Sequence, residues 1–300
     1  MIEYLSKPPQ FLSIDETQIA SFILPDEGNL DKKTVDSFGV EWNRFSEFTD
    51  ADLKLAGDQY FDIVDSSVIG PDSTVLDIGC GTGRWSKYLS PKVRSIESID
   101  PSAAVVAASR LTRDFPNIRV TQAGVDNIPF PDNSFDFVFS LGVMHHVPDT
   151  RQAIRKAVSK LRSGGHFLVY LYYNLDNRSS MFRLLFYPVH VLRKIISNLP
   201  SWLKVIVCDL LAVVIYLPLI ALVKTVKALF PKKNWHARIP LAYYADKSFK
   251  IIRNDALDRL GTPLEKRFSR AEIHEILAEA GLKNIRFSEH APYWHAIAQK

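Results

Sequence analysis

The chain has 300 residues, 47% of them hydrophobic and 23% charged, with a formal net charge of +4. That apolar share supports a sizeable core and excludes a disordered or low-complexity chain, while the length calls for a large insertion or a small second module. Only two cysteines occur, Cys80 and Cys208, which excludes a disulfide scaffold. Neither a cysteine–histidine cluster nor acids at ligand spacing suggest a metal, and Met1-Ile-Glu-Tyr-Leu-Ser lacks the basic and apolar regions of a secretory leader. A reducing, cytoplasmic setting is expected.

Residues 1–36 read as an extended arm with polar turns, and 1–60 as that arm plus helices ahead of a core at 61–175. Thr74-Val-Leu-Asp-Ile-Gly-Cys-Gly-Thr-Gly83 is a strand running into a glycine turn, the place where an open α/β sheet holds a nucleotide-like ligand. Val75, Leu76 and Ile78 suit a buried strand; Gly79, Gly81 and Gly83 let the backbone turn and approach a ligand. Arg84-Trp-Ser-Lys-Tyr-Leu89 begins a helix. The dinucleotide fingerprint G-x-G-x-x-G fits poorly, because its third glycine would fall on Arg84 or Ser86.

Ser95–Asp100 reads as a second strand ending in a carboxylate, close to the roughly 20-residue offset of a ribose-binding acid. Asp100 can accept from both ribose hydroxyls and also cap the helix that Pro101-Ser102 would open. Arg119–Gly124 and Phe135–Gly142 supply a third and a fourth strand. His145 and His146 follow on the carboxyl edge, where a ligand crevice is expected, and histidine suits general base work because its ordinary pKa lies near neutral pH.

The glycine string with Asp77 ahead of it, and the run from Gln122 through Pro-Asp-Asn-Ser-Phe-Asp136 to Val-Met-His-His-Val-Pro-Asp149, resemble the type 11 subgroup of class I S-adenosylmethionine (SAM)-dependent methyltransferases. Ser37–Phe45 resembles a segment seen ahead of the core in some of those enzymes. The resemblance implies a doubly wound, Rossmann-like α/β fold with seven mostly parallel strands, the last antiparallel, and an α-helical insertion before the last helix and hairpin. It implies SAM as cofactor, held by Asp77, Gly79, Cys80, Gly81, Gly83, Asp100, Gly124, Val125, Asp126 and Leu141. Family members usually carry an Asp after the third strand for the adenine amino group. Gly124 stands there, so Asp126 or backbone at Val125 is expected to make that contact.

From Arg178 to Arg238 there are ten Lys/Arg against one acid, Asp209, a net +9, which leaves the rest of the chain at −5. These charges flank apolar sequence rather than polar and aromatic groove residues, which points to an anionic membrane surface and away from nucleic acid. Phe182, Leu185, Phe186, Val189, Leu192 and Ile196 fall at helical spacing, with Pro188 expected to kink or end the helix. Val205–Val223 is apolar apart from Asp209 and Pro218 and is close to the ~20 residues that cross a bilayer. Interfacial association, a helical cap over a lipophilic substrate, a true span and a plain core helix pair all fit. The insertion is bounded at 176–248.

The core is expected to resume at 249–300. Ser269-Arg-Ala-Glu272 is a capping box, Ile273, Ile276, Leu277 and Ala280 form the buried stripe that follows, and Gly281 ends the helix. Gly165–Tyr172, Asn284–Ser288 and Trp294–Ala298 complete the strands. No Asn/Asp-Pro-Pro-Tyr/Phe motif of DNA amino methylation follows the fourth strand, which reads Ser140-Leu-Gly-Val-Met. A three-cysteine radical-SAM site is absent. The expected acceptor is a hydroxyl or amine on a small molecule, lipophilic or glycan-linked, lined by Tyr243, Tyr244, Trp42 and Arg44, with His145 or His146 as base. The alternative is a catalytically silent SAM-binding or membrane-associated interaction protein.

Overall fold

The computed structural model describes residues 1–14, 17–24, 28–44, 49–176 and 180–300. It divides into two compact units, Met1–Ser179 with Leu264–Lys300, and Ser180–Pro263.

In the first unit the elements run β1 (Gln10–Ile14), β2 (Thr17–Ser21), α1 (Lys32–Arg44), α2 (Asp50–Tyr60), β3 (Thr74–Ile78), α3 (Arg84–Leu89), β4 (Ser95–Asp100), α4 (Val105–Leu111), β5 (Ile118–Gln122), β6 (Phe135–Leu141), α5 (Thr150–Lys160) and β7 (Leu161–Tyr170). After the second unit's four helices, α6 (Ser180–Ser197), α7 (Ser201–Leu211), α8 (Leu217–Leu229) and α9 (Phe249–Gly261), the first unit closes with α10 (Arg270–Glu279), β8 (Lys283–Phe287) and β9 (His295–Gln299). The nine strands lie in the order β1-β2-β5-β4-β3-β6-β7-β9-β8. The pairs from β5 to β7 are parallel, and β9 runs antiparallel between β7 and β8. This is the expected Rossmann-like sheet of seven strands. Two more join it at the edge.

Those two belong to the extended arm read over residues 1–36 and give it a place in the sheet. β1 and β2 form an antiparallel pair that reaches the sheet where Ser21 meets Gln122, and the Ser21 hydroxyl donates to Gln122 Oε1 at 2.7 Å. Ahead of the pair, the Ile2 amide donates to Glu97 Oε1 at 2.8 Å. Arg119 grips the same carboxylate with Nε at 2.7 Å and Nη2 at 2.9 Å, which is how a fully buried glutamate is tolerated inside β4. Burial pushes the Glu97 carboxyl up, and Arg119 pulls it back.

β3 and β4 are buried along their whole length, as parallel strands covered on both faces must be. One face carries Phe130, Phe135, Val138, Ile154 and Phe167; the other carries Val75, Phe137, Phe139, Trp85 and Leu168. α5 is capped by Asp149, whose carboxylate accepts from the Gln152 amide. The capping box of α10 is present in both directions, Ser269 Oγ accepting from the Glu272 amide at 3.2 Å and Glu272 Oε2 from the Ser269 amide at 2.7 Å.

The second unit extends to Pro263, past the boundary at 248 suggested by sequence, because α9 packs on α6 and α7. α6 continues through Pro188 without ending there. The stripe expected to be its buried face is largely outside: Val189 and Leu192 are exposed, Ile196 is buried, and the side chains of Phe182, Leu185 and Phe186 lie outside the described residues. The face that packs is Arg193, Ile196 and Ser197, with Arg193 Nη1 donating to the Thr262 carbonyl at 2.9 Å.

α7 and α8 join through a π-helical turn, Ala212–Tyr216, into one helix over Trp202–Leu229. Pro218 has no amide hydrogen and its ring crowds the carbonyl four residues back. The wider turn, in which the Leu217 amide donates to the Ala212 carbonyl, takes up that crowding while the helix continues. Ala212, Tyr216 and Ile220 pack with Tyr244, Ile252 and Ala256 in a small core. Asp209 is held bidentate by Arg253 of α9, at 2.8 and 2.6 Å.

Candidate functional site

The order of the strands reverses at β3, with β4 on one side and β6 on the other, and that reversal opens a crevice at the carboxyl ends. Register brings the predicted residues to it. Ile78 lies beside Ile99, so the amides of Gly79 and Cys80 both donate to the Ile99 carbonyl, at 2.7 and 2.9 Å. Asp100, one residue on, then accepts from the Gly81 amide at 3.0 Å, the Ser102 amide at 2.8 Å and the Ser102 hydroxyl at 2.6 Å. Burial pushes the Asp100 carboxyl up, and the Ser102 and Gly81 hydrogen bonds oppose that shift. Its carboxylate therefore braces the turn at the carboxyl edge of the sheet.

Gly79 has φ of +77°, and a Cβ there would lie 2.4 Å from Val143 Cγ1. Only glycine fits against Val143. Over Gly81 lies the indole of Trp42, and the Arg84 guanidinium sits 4.7 Å from the Trp42 ring centroid. Cys80 is buried and its thiol is pushed well up by that burial, so it is a packing residue of the turn.

Asp77 lies beneath the turn rather than on it. Its Oδ2 accepts from the Ser86 hydroxyl at 2.6 Å, and Ser86 Oγ shares a hydrogen bond with Ser98 Oγ at 2.8 Å. Burial, with the Asp100 charge adding to it, pushes the Asp77 carboxyl up to about 7. The folded chain thus holds this proton more tightly than the unfolded chain, whose carboxyl titrates near the ordinary 3.8. Stability from this group is greatest below about 4 and declines as pH rises towards about 7. Asp77→Asn is expected to flatten that decline in urea midpoints measured across the window; a variant as pH-sensitive as the parent would contradict it.

Gly124, Val125 and Asp126 are drawn to the same edge, the Ala123 amide donating to the Asp100 carbonyl at 3.2 Å. Asp126 Oδ2 accepts from the Asn29 amide at 3.2 Å, whereas its Oδ1 is buried with no hydrogen-bond partner among the described residues. Thr82 Oγ1 is in the same condition. Buried polar atoms left open beside a glycine turn are what a polar cofactor would complete. Asp126 therefore fits the amino contact that Gly124 cannot make. Leu141 closes the end of β6, and the Gly142 amide donates a hydrogen bond to the Tyr170 carbonyl at 3.1 Å as the chain turns.

Beyond Gly142, Val143 leads into a short 3₁₀ turn, Met144–His146, pinned by the Thr150 hydroxyl to the Met144 carbonyl at 2.8 Å. The His145 and His146 rings lie 3.9 Å apart, and His145 stacks on Tyr172 at 3.9 Å. His145 is fully buried, neither ring nitrogen has a hydrogen-bond partner among the described residues, and burial, His146 and Arg267 hold its pKa well below the usual range. Its surroundings therefore favour the neutral ring. His146 Nδ1 lies 2.6 Å from the Leu264 carbonyl, which can only accept, so Nδ1 carries the hydrogen and the lone pair falls on Nε2.

Sequence reasoning missed the segment that supplies that carbonyl. Leu264–Phe268 returns beside the histidines: Lys266 donates its amide to the His145 carbonyl at 3.0 Å, and the Leu264 amide reaches Thr34 Oγ1 at 3.2 Å. Glu265, almost wholly buried, pairs with Arg267 at 2.8 Å, and Arg267 lies 5.7 Å from the Tyr172 ring centroid. No motif marks these residues, because their place is set by the chain's return from the second unit. Of the proposed acceptor-lining residues, Trp42 stands over the turn, whereas Tyr244 is a core residue of the second unit, packed on Tyr216. Its neighbour Tyr243 is exposed in that unit, and the Arg44 side chain lies outside the described residues.

Residues 76–169 match the model of a family described as a methyltransferase domain. The chain is similar to the uncharacterized methyltransferase YcgJ of Bacillus subtilis, 32% identical over 136 residues, or 43% of this chain and 53% of that protein. It is 33% identical over 108 residues to the sarcosine/dimethylglycine N-methyltransferase of Halorhodospira halochloris, covering 34% of this chain and 39% of that one. The crystal structure of B. subtilis YcgJ aligns at 28% identity over 47% of this chain and 58% of that chain, with a TM-score of 0.38. The chain spans about half or less of the length of the curated relatives it matches.

Proposed function

We propose that this chain, whose residues 76–169 match a methyltransferase domain, is a class I SAM-dependent enzyme that transfers the methyl group of SAM to a hydroxyl or amine of a small acceptor bound beside His145 and His146. The observation that supports this reading is the packing of Val143 on Gly79, which brings the start of the Met144–His146 turn to the glycine turn. When bound, SAM supplies a methyl on a sulfonium, already a good electrophile, so the chain's task is to align a nucleophile and receive its proton. Asp100 and the Gly79–Gly83 turn would hold SAM, while His146 Nε2, which carries the lone pair, would receive the acceptor's proton. The Leu264 carbonyl keeps its ring in the tautomer that allows this.

Tyr172, with Tyr170 at 5.8 Å and Tyr60 beyond it at 5.3 Å, provides an aromatic wall suited to an acceptor with an apolar body. The Glu265–Arg267 pair places both signs of charge behind it. An amine acceptor would match the H. halochloris relative, a sarcosine/dimethylglycine N-methyltransferase. A second reading, SAM binding without turnover, is favoured by the complete burial of His145.

Incubating the full chain with methyl-labelled SAM and a metabolite extract, separated into water-soluble and lipid fractions, tests both. Label in an acceptor, matched by demethylated SAM, is the expected result. SAM binding by calorimetry with no labelled acceptor would select the silent reading, and no SAM binding would overturn both.

A further inference from the structure

The helix over Trp202–Leu229 is apolar on two opposite faces, and only one of them is used. Cys208, Ala212, Tyr216, Ile220 and Val223 are buried in the second unit. Ile206, Leu210, Val213, Val214 and Leu217 point away from that stripe and are exposed, and only 22% of the most apolar stretch of the helix is buried. A helix apolar all round belongs in a protein core or in lipid, and this one is only half in a core. An exposed apolar patch of this extent marks an interaction surface.

Charge decides what covers it. Ser180–Pro263 holds thirteen Lys/Arg and four Asp/Glu, a net +9, while the rest of the chain carries −5. Asp209, the acid within the apolar run, is neutralised by Arg253 at 2.6 Å. At the carboxyl end Lys224, Lys232 and Lys233 are exposed, and none of them has an acid partner among the described residues. Trp202 at one end of the helix and Trp235 just past the other are also exposed, and such amphipathic rings favour the boundary between hydrocarbon and water. A second copy of this face would bring like charges together. A bilayer with anionic headgroups offers hydrocarbon to the apolar face and phosphate to the lysines.

We infer that the second unit docks this helix flat on one leaflet of an anionic membrane, as a monotopic anchor. At ~1.5 Å per residue the helix is long enough to span, but its other face is packed on α9 and tied to it through Asp209 and Arg253. Crossing the bilayer would carry that ion pair and α9 into hydrocarbon or strip the packing away. Lying flat keeps both.

The inference does not rest on methyl transfer, and its test needs no acceptor. Full-length protein is floated with phosphatidylcholine vesicles, with and without phosphatidylglycerol. Binding is expected only with the anionic lipid, and to weaken as salt rises. Lys224→Glu/Lys232→Glu/Lys233→Glu should bind at least roughly tenfold more weakly with an unchanged melting temperature, since each basic residue near such a surface contributes severalfold. Ile206→Ser/Leu210→Ser, on the outer face, should also lose binding with its circular dichroism intact. Any of four results would overturn the inference: no flotation with either vesicle, equal flotation with both, dimerisation through this face that vesicles do not displace, or protease protection showing the two ends of the helix on opposite sides. A chain that floats and fails to bind SAM would leave this inference standing and remove the proposed function.

Discussion

Gly79→Ala is expected to reduce SAM affinity at least roughly tenfold and to lower the melting temperature. A left-handed backbone costs a non-glycine residue about 1–2 kcal/mol, and forcing a methyl into packed atoms adds about 1–3 kcal/mol. The new Cβ would lie 2.4 and 2.5 Å from the two methyls of Val143. Val143 cannot withdraw freely, because the next three residues form the turn that holds His145 and His146. The damage should therefore reach both halves of the site. Adding Val143→Ala should restore the part due to collision and leave the backbone strain. Calorimetry and thermal melts on the two variants measure the split, and a Gly79→Ala protein with unaltered SAM affinity would remove the turn from the binding site.

His146→Ala should lower turnover on the acceptor returned by the labelling screen by roughly 10² to 10⁴, the usual range for loss of a positioned general base. SAM affinity should stay near its original value, since the ring faces Phe38 and the Leu264 carbonyl rather than the glycine turn. His145→Ala should behave differently. It removes a fully buried ring stacked on Tyr172, so it should cost stability through the cavity it leaves, and turnover should fall with that loss. Near-normal turnover in both variants would exclude histidine base catalysis. Equal losses in SAM binding and rate for His146→Ala would make the residue structural.

Legibility in the sequence followed the range of the signal. Strands β3 to β7, the glycine turn and the α10 capping box each announce themselves within about ten residues, because apolar period, glycine and capping chemistry are local properties. The pairing of Ile78 with Ile99 that delivers Asp100 to Gly81 is a matter of register, which a parallel arrangement alone leaves open. The role of Asp77 was not legible either. Its position two residues before Gly79 matched a binding motif, and only the fold shows its carboxylate turned inward to Ser86.

The class of the fold and the presence of a basic, apolar segment between two parts of one core were legible in the residues alone. Tertiary structure decided where distant segments meet, since periodicity within an element is silent about its partner. The β1–β2 pair joins the sheet through Ser21 and Gln122, 101 positions apart, and Leu264 orients His146 across 118. Tyr244, a candidate for the acceptor pocket, proved to be core because Tyr216 and Ile252 surround it. The apolar run over Val205–Val223 divides into an inner stripe and an outer face only when α9 is packed against one side. Composition states how much apolar surface a helix carries, and packing alone settles which part of it remains for something else to cover.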